Sequence, residues 1–159
     1  MQSFRFPVRL AVLALCGLAG LAAAQKAPIQ IVADLTDAPR KLYHAEVDIP
    51  VTGGPVTLTT PQWIPGNHRP TGPVEDITGV VFTVDGKPVE WRRDDVDLYQ
   101  FHVNVPKGAT TLHAHLDCIV LARVTQKMAV LEWEKLLLYP AKTPVRDIQI
   151  GRASCRERV

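Results

Sequence analysis

The sequence predicts an all-β domain with a mainly antiparallel, sandwich-like architecture. Apolar and polar residues alternate in several short runs, and turn residues separate these runs at the spacing of a β-sandwich. The 159-residue chain has 47% hydrophobic and 21% charged residues, which is ordinary for a globular protein. Its length fits a single domain.

The clearest strand begins near Tyr43, where every second residue is apolar and the residues between are His44, Glu46 and Asp48. A period of two places the apolar and polar side chains on opposite faces, as in a half-buried strand. Residues 29–35 alternate in the same way. Further strands are predicted at residues 56–60, 77–84, 89–92, 99–105 and 112–120.

Turn residues connect these strands. Asp85-Gly86 favours a two-residue hairpin, and Pro88 places the return strand at a sheet edge or a bulge, because proline cannot donate a ladder hydrogen bond. Residues 128–135 lack the alternation and predict one short helix or an irregular turn. A last strand begins at residue 145 and is cut short, so the domain is expected to be incomplete at its C-terminal end.

The N-terminal segment has the features of a signal peptide, assigned to residues 1–24. Arg5 and Arg9 precede an apolar run at residues 10–21, and three alanines follow it. The run is shorter than the roughly 20 residues that span a bilayer. We therefore expect export to the periplasm or beyond and no membrane association after cleavage, with an uncleaved anchor as the alternative.

The C-terminal residues 150–159 have no apolar periodicity and resemble a translated sequencing adapter. We interpret them as a non-native tail and expect native sequence to stop near residue 149. These two end segments hold five of the 18 basic and one of the 16 acidic residues, so the remainder has a net charge of −2. This charge argues against nucleic acid as a partner. Cys118 is the single cysteine of residues 25–149, so this part of the chain cannot form an intramolecular disulfide.

Three residues of one predicted strand have the donor types of a metal site. His113, His115 and Asp117 occupy alternate positions and so share a face. The opposite face is apolar, so the solvent side of an amphipathic strand explains the trio more simply. A structural zinc site also usually needs four ligands. We therefore assign no metal, cofactor-binding or catalytic residue to this chain.

Other catalytic patterns are absent from the sequence. It contains no H-E-x-x-H, no glycine-rich phosphate loop and no G-x-S-x-G. Asp94, Asp95 and Asp97 form an acidic run beside Arg92 and Arg93. Because no apolar surroundings would shift their pKa values, we interpret the run as an exposed charged loop.

The most distinctive segment is residues 61–73, which contains four prolines. Pro65-Gly66 suits the centre of a type II turn. The result is a stiff loop that carries Trp63 and His68. Two interpretations remain open: a rigid connection whose Trp63 packs into the core, or a preformed surface loop that contacts another domain or a peptide.

Residues 61–66 read P-x-W-I-P-G, which resembles the N-terminal domain of the glycyl aminopeptidase family of zinc metallopeptidases. Residues 42–50, 84–91 and 136–140 are similar to the early strand, the D-G hairpin and the L-L-Y-P segment of that family. The resemblance extends over about residues 29–149. His68 stands where the family more often has an aromatic residue.

The resemblance implies that residues 25–149 are a β-rich, non-catalytic domain. A thermolysin-like catalytic domain and a PDZ-like domain would follow it in the parent enzyme, which would use zinc-activated water to remove N-terminal glycine or alanine from peptides. No catalytic residue of the family has a matching position here, so the fragment itself should be inactive and without a cofactor. Zinc is expected in the missing catalytic domain.

We therefore expect this domain to pack on the catalytic domain and to shape its substrate cleft. Its partners would be the two downstream domains and, through the parent, the peptide substrate. The alternative is a stand-alone secreted β-sandwich that binds peptide or glycan, and the unfinished last strand argues against it. The residues predicted to face the cleft are Trp63, Pro65, Gly66, Asn67 and His68.

Overall fold

The structure, a computed structural model, describes residues 27–64, 66–121, 124–125, 127–144 and 148. The described strands form two antiparallel sheets, which confirms the predicted all-β, sandwich-like fold. The first sheet has the order β1-β2-β8-β4-β5, and the second has the order β6-β7-β3-β9. The strands are β1 (Gln30–Asp34), β2 (Leu42–Pro50), β3 (Gly54–Thr59), β4 (Ile77–Val84), β5 (Lys87–Pro88), β6 (Trp91–Arg93), β7 (Gln100–Val105), β8 (Thr111–Ile119) and β9 (Tyr139–Pro140).

The central pair of the first sheet is β2 with β8, in a register that places Tyr43 opposite Cys118 and Ile49 opposite Leu112. The inward-facing residues of both strands are buried, as their alternation predicts. From the second sheet, Leu58 of β3 and the apolar residues of β7 complete the core. The hydrophobic side chains of the two sheets therefore meet in one layer between them.

The predicted hairpin forms at Asp85 and Gly86, whose φ angles of 50° and 73° are the positive values that a type I′ turn requires. The return strand is split in two. β5 stays at the edge of the first sheet, where Pro88 needs no ladder partner, and the chain then crosses to the second sheet as β6. Trp91 lies at this crossing, with its ring centroid 5.7 Å from those of Phe82 and Phe101.

Helical structure in the described residues is limited to two single 3-10 turns, Ala38–Arg40 and Trp133–Lys135. The short helix predicted near residues 128–135 is therefore reduced to its last three residues. Leu136, which caps this second turn, and Leu138 are both fully buried, so the chain enters the core directly after the turn.

Three predicted segments fall outside the described residues: the signal peptide at 1–24, the strand at 145–149 except residue 148, and the tail at 150–159. Within the described residues, no helix has the length and apolar character needed to cross a membrane.

Candidate functional site

The loop at residues 61–73 is closed by its own backbone. Trp63 and Pro70 form an isolated antiparallel bridge, and the Gly72 N–H donates to the Gln62 carbonyl at 3.1 Å. The two arms of the loop are therefore fixed to each other. This agrees with the stiffness that its prolines predict.

The tip of the loop is a tight turn. The Asn67 N–H donates to the Ile64 carbonyl at 3.0 Å, and the Asn67 side-chain amide donates to Thr71 Oγ1 at 2.6 Å. Gly66 has φ +90°, which suits the third residue of the predicted type II turn. Pro65, the other predicted turn residue, lies outside the described residues.

The base of the loop packs against the start of β7. A Cβ atom at Gly72 would lie 1.8 Å from the carbonyl oxygen of Pro61 and 2.8 Å from the ring of Tyr99. Only glycine fits such a close approach of backbone to backbone. The loop therefore has a defined position on the domain.

Trp63 is 61% exposed, so it does not pack into the core. Of the two interpretations of this loop, the preformed surface loop agrees with the structure. The loop tip borders a shallow depression of about 410 Å³ lined by Asn67, His68, Arg69 and Thr71. The predicted cleft-facing residues that the structure describes are thus all exposed, while their contact with a substrate stays a prediction.

A second group of polar residues lies on the outer face of the first sheet. We call it the histidine ladder, because three histidines of β2 and β8 each face a carboxylate on the paired strand. Its members are His44, Glu46, Asp48, His113, His115 and Asp117.

The three residues that the sequence analysis considered as a metal site, His113, His115 and Asp117, do not form one cluster in the structure. His113 Nδ1 lies 2.5 Å from Asp48 Oδ1 and forms a pair of its own. His115 and Asp117 instead join His44, and one ligand-type atom of each lies within 4.8 Å of the others. The prediction that the trio faces solvent is confirmed, because the alternate residues of β8 are buried.

Sequence reasoning missed His44 as a member of this cluster. Its alternation on β2 was visible, but alternation alone does not show which strand lies beside β8. The available signal was complementarity: the outward row of β2 reads His, Glu, Asp, and the outward row of β8 reads His, His, Asp. An antiparallel pairing then places a carboxylate opposite each histidine.

Carboxylates determine the electrostatics of His44. Asp117 Oδ1 lies 2.6 Å from its Nδ1, and Asp37 Oδ2 lies 3.5 Å from its Nε2. The hydrogen bond to Asp117 is the largest cause that raises the pKa of His44, and Asp37 adds to it against the opposing effect of burial.

The acidic run at residues 94–97 has a structural explanation. Asp94 Oδ1 accepts hydrogen bonds from the Asp97 and Val96 N–H groups at 2.8 and 2.9 Å, and its Oδ2 lies 2.7 Å from His102 Nε2. These bonds hold the pKa of Asp94 well below its usual range, with the Asp97 N–H as the largest cause. Asp95 has a 93% exposed side chain, as a charged loop predicts. The expectation that nothing would shift a pKa in this run is wrong for Asp94, because its side chain is only 25% exposed and hydrogen bonds, not apolar surroundings, lower its pKa.

The family model of the Peptidase M61 N-terminal domain matches residues 30–153. This chain belongs to that family. The match confirms the expected peptidase N-terminal domain, whereas the glycyl aminopeptidase character of a parent stays a prediction.

A solved structure shares the fold of this M61 N-terminal domain. It is the crystal structure of an aminopeptidase N family protein from Idiomarina loihiensis, with a TM-score of 0.58 and 16% sequence identity. The alignment covers 72% of this chain and 20% of that chain, so the present chain spans about a fifth of that structure. No curated protein matches the chain significantly.

The zinc of a metallopeptidase does not fit the M61 N-terminal domain. Peptidase zinc centres of the expected type need two histidines one helical turn apart with a glutamate between them, and the sequence has no such H-E-x-x-H. The described histidines lie on strands and loops. No hydrolytic step is therefore assigned to these residues.

Proposed function

We propose that this chain is the non-catalytic N-terminal domain of a secreted zinc aminopeptidase, and that it packs on the catalytic domain and shapes the substrate cleft. The family match and the fold shared with an aminopeptidase N family protein support a role as a peptidase N-terminal domain. The zinc and the hydrolytic residues would belong to the catalytic domain. Export to the periplasm or beyond would follow from the signal peptide.

The observation that carries the proposal is the exposed Trp63 on a rigid loop. A large aromatic side chain that is exposed on a hydrogen-bonded, rigid loop suits an interface. Little conformational freedom is lost when such a loop binds a partner. A tryptophan in such a position can supply much of the affinity of a contact.

The cleft-facing role follows from how an exopeptidase selects its substrate. Such an enzyme must block extension of the peptide on one side of the scissile bond, and a domain beside the cleft can supply that block. Pockets form preferentially at domain interfaces. The loop would offer the indole of Trp63 together with the polar tip at His68 and Arg69.

The first experiment is to sequence the gene beyond the codon for Gln149 in genomic DNA. We expect the frame to continue into a segment with H-E-x-x-H and a later glutamate. A frame that instead ends with the codons of residues 150–159 would contradict the proposal. The alternative, a stand-alone β-module that binds peptide or glycan through the same exposed loop, would then be supported.

The second experiment tests the loop in the full-length enzyme. Trp63→Ala and His68→Ala should each lower kcat/KM for aminopeptidase substrates by about tenfold, which corresponds to roughly 1.4 kcal/mol. The matched control is Val96→Ala, because Val96 is an apolar residue that is 93% exposed on a different loop. Unchanged kinetics in both loop variants would show that the loop is structural.

A further inference from the structure

We propose that His44, His115 and Asp117 bind a divalent transition-metal ion of the zinc class on the outer face of the first sheet. The site would be separate from the zinc of a peptidase catalytic domain. It rests on this domain's own geometry and does not depend on the proposed function.

The three donor atoms already lie near the positions that a metal requires. Asp117 Oδ1 is 2.6 Å from His44 Nδ1 and 3.2 Å from His115 Nε2. Zinc bonds of about 2.0–2.2 Å to nitrogen and oxygen place neighbouring tetrahedral ligands roughly 3.3–3.6 Å apart. The separation from His115 is already close to this value, so a small outward movement of His44 would admit the ion.

The other ring nitrogens have the partners that metal-binding histidines usually have. His115 Nδ1 lies 2.8 Å from Glu46 Oε1, and His44 Nε2 lies 3.5 Å from Asp37 Oδ2. A carboxylate at the far nitrogen orients the imidazole and directs the lone pair of the near nitrogen to the metal. The carboxylate at His115 is within hydrogen-bond distance, whereas the one at His44 is a longer ion pair that Asp37 shares with Arg40.

Asp117 is held in place from its other side. The register of β4 against β8 shifts between Thr78 and Val81, and Gly79 lies within this bulge with φ +58°. A Cβ atom at Gly79 would lie 2.1 Å from Asp117 Oδ2. The carboxylate therefore rests directly against the backbone of β4 while its Oδ1 faces the two imidazoles.

Ordinary cross-strand ion pairs are the competing explanation, and the ladder contains an example of one. His113 pairs with Asp48 on the same two strands. The His44 cluster differs because Asp117 Oδ1 contacts two histidines at once. Its side chains are 25–37% exposed, so an ion could enter and water could occupy the fourth position.

The test uses the full chain after dialysis against EDTA. Addition of Zn²⁺ should give one binding event in calorimetry and raise the melting temperature, because the ion would join β2 to β8 only in the folded state. Mg²⁺ should do neither, since it prefers oxygen ligands. Co²⁺ should give visible absorption that reports nitrogen and oxygen ligation.

Variants assign the ligands. His115→Gln and Asp117→Asn should each lower the Zn²⁺ affinity at least tenfold, and Glu46→Gln should lower it about 10–100-fold. His113→Gln is the matched control, because it removes a histidine of the same strand and leaves the cluster intact, and its affinity should be unchanged. This comparison also excludes binding through Cys16 or Cys155, which the histidine variants would not affect.

A footprint on the unmodified protein covers the case in which a variant does not fold. Zn²⁺ should protect His44 and His115 from diethyl pyrocarbonate and leave His113 reactive. The proposal is overturned if the wild-type chain takes up no Zn²⁺, if binding survives in both His115→Gln and Asp117→Asn, or if Zn²⁺ protects all three histidines equally.

Discussion

The phenol of Tyr43 donates a hydrogen bond to the carbonyl oxygen of Val130 at 2.9 Å, although 87 residues separate them in the chain. Tyr43 is a buried residue of β2, whereas Val130 belongs to the irregular segment before the 3-10 turn Trp133–Lys135. The bond therefore fixes a segment without regular structure onto the central strand pair. Close to it in sequence, Leu136 and Leu138 enter the core.

Tyr43→Phe should lower the free energy of unfolding by about 1 kcal/mol, because the variant keeps the buried ring and loses one hydrogen bond. Urea unfolding of the two proteins measures the difference. Tyr99→Phe is the control, since its hydroxyl makes only an exposed 3.5 Å contact with the Pro70 carbonyl. Equal losses in the two variants would contradict this account.

Gly79→Ala should destabilise the domain more than Gly86→Ala. Both glycines have positive φ, which costs about 1–2 kcal/mol for an L-residue. A Cβ at Gly86 would enter open space, whereas one at Gly79 would displace the carboxylate of Asp117. Thermal unfolding of the two variants gives the comparison, and similar melting temperatures would show that Asp117 moves aside without cost.

The thiol of Cys118 should be inert in the folded domain. Burial raises its pKa to about 11, with Asp76 as the next largest cause, so little thiolate forms at neutral pH. Alkylation followed by peptide mapping should label Cys118 only under unfolding conditions. Rapid labelling of Cys118 in the native protein would contradict its buried position.

Because the pKa of the Cys118 thiol is raised, the folded domain should lose stability in alkaline solution. The pKa is about 11 in the folded state against an ordinary value of 9.0, so the unfolded chain loses its proton first as pH rises. Its contribution is therefore fully present below pH 9 and declines between about pH 9 and 11. Cys118→Ala should show a shallower decline over this window, measured by urea unfolding at each pH.

Asp94 should contribute stability that is lost in acid. Its pKa lies below the ordinary value of 3.8, so its contribution is present above that pH and declines as pH falls through the lower, folded-state pKa. Asp94→Ala should lower the melting temperature near neutral pH and reduce the difference from wild type below about pH 4. Asp95→Ala should have little effect, because the Asp95 side chain is exposed. A constant difference for Asp94→Ala at all pH values would be inconsistent with this.

The strands could be predicted because their sequences alternate clearly. Ile77–Val84 has the bounds that the pattern predicts, and the Asp85-Gly86 turn follows it. The division of the return strand between two sheets could not be predicted. It depends on the packing of Trp91 between Phe82 and Phe101, and Phe101 belongs to a strand that comes later in the chain.

The candidate sites could likewise be predicted from the sequence only where local residues determine them. The stiffness of the loop at residues 61–73 follows from local residues, but the exposure of Trp63 depends on how the whole loop rests on Tyr99. The meeting of His44 with His115 depends on the β2–β8 register, which joins distant parts of the chain. Local periodicity gives the face on which a side chain lies, and long-range pairing decides its neighbours.

The β2–β8 pairing also determines when the domain can fold. The paired side chains of the histidine ladder are separated by 65 to 73 residues, so a large loop must close before the centre of the first sheet exists. Such high contact order is typical of β-domains that fold in milliseconds to seconds. During synthesis, β2 has no partner on the side of β8 until residues 111–119 have left the ribosome. Until then the nascent chain can form local hairpins but not its core.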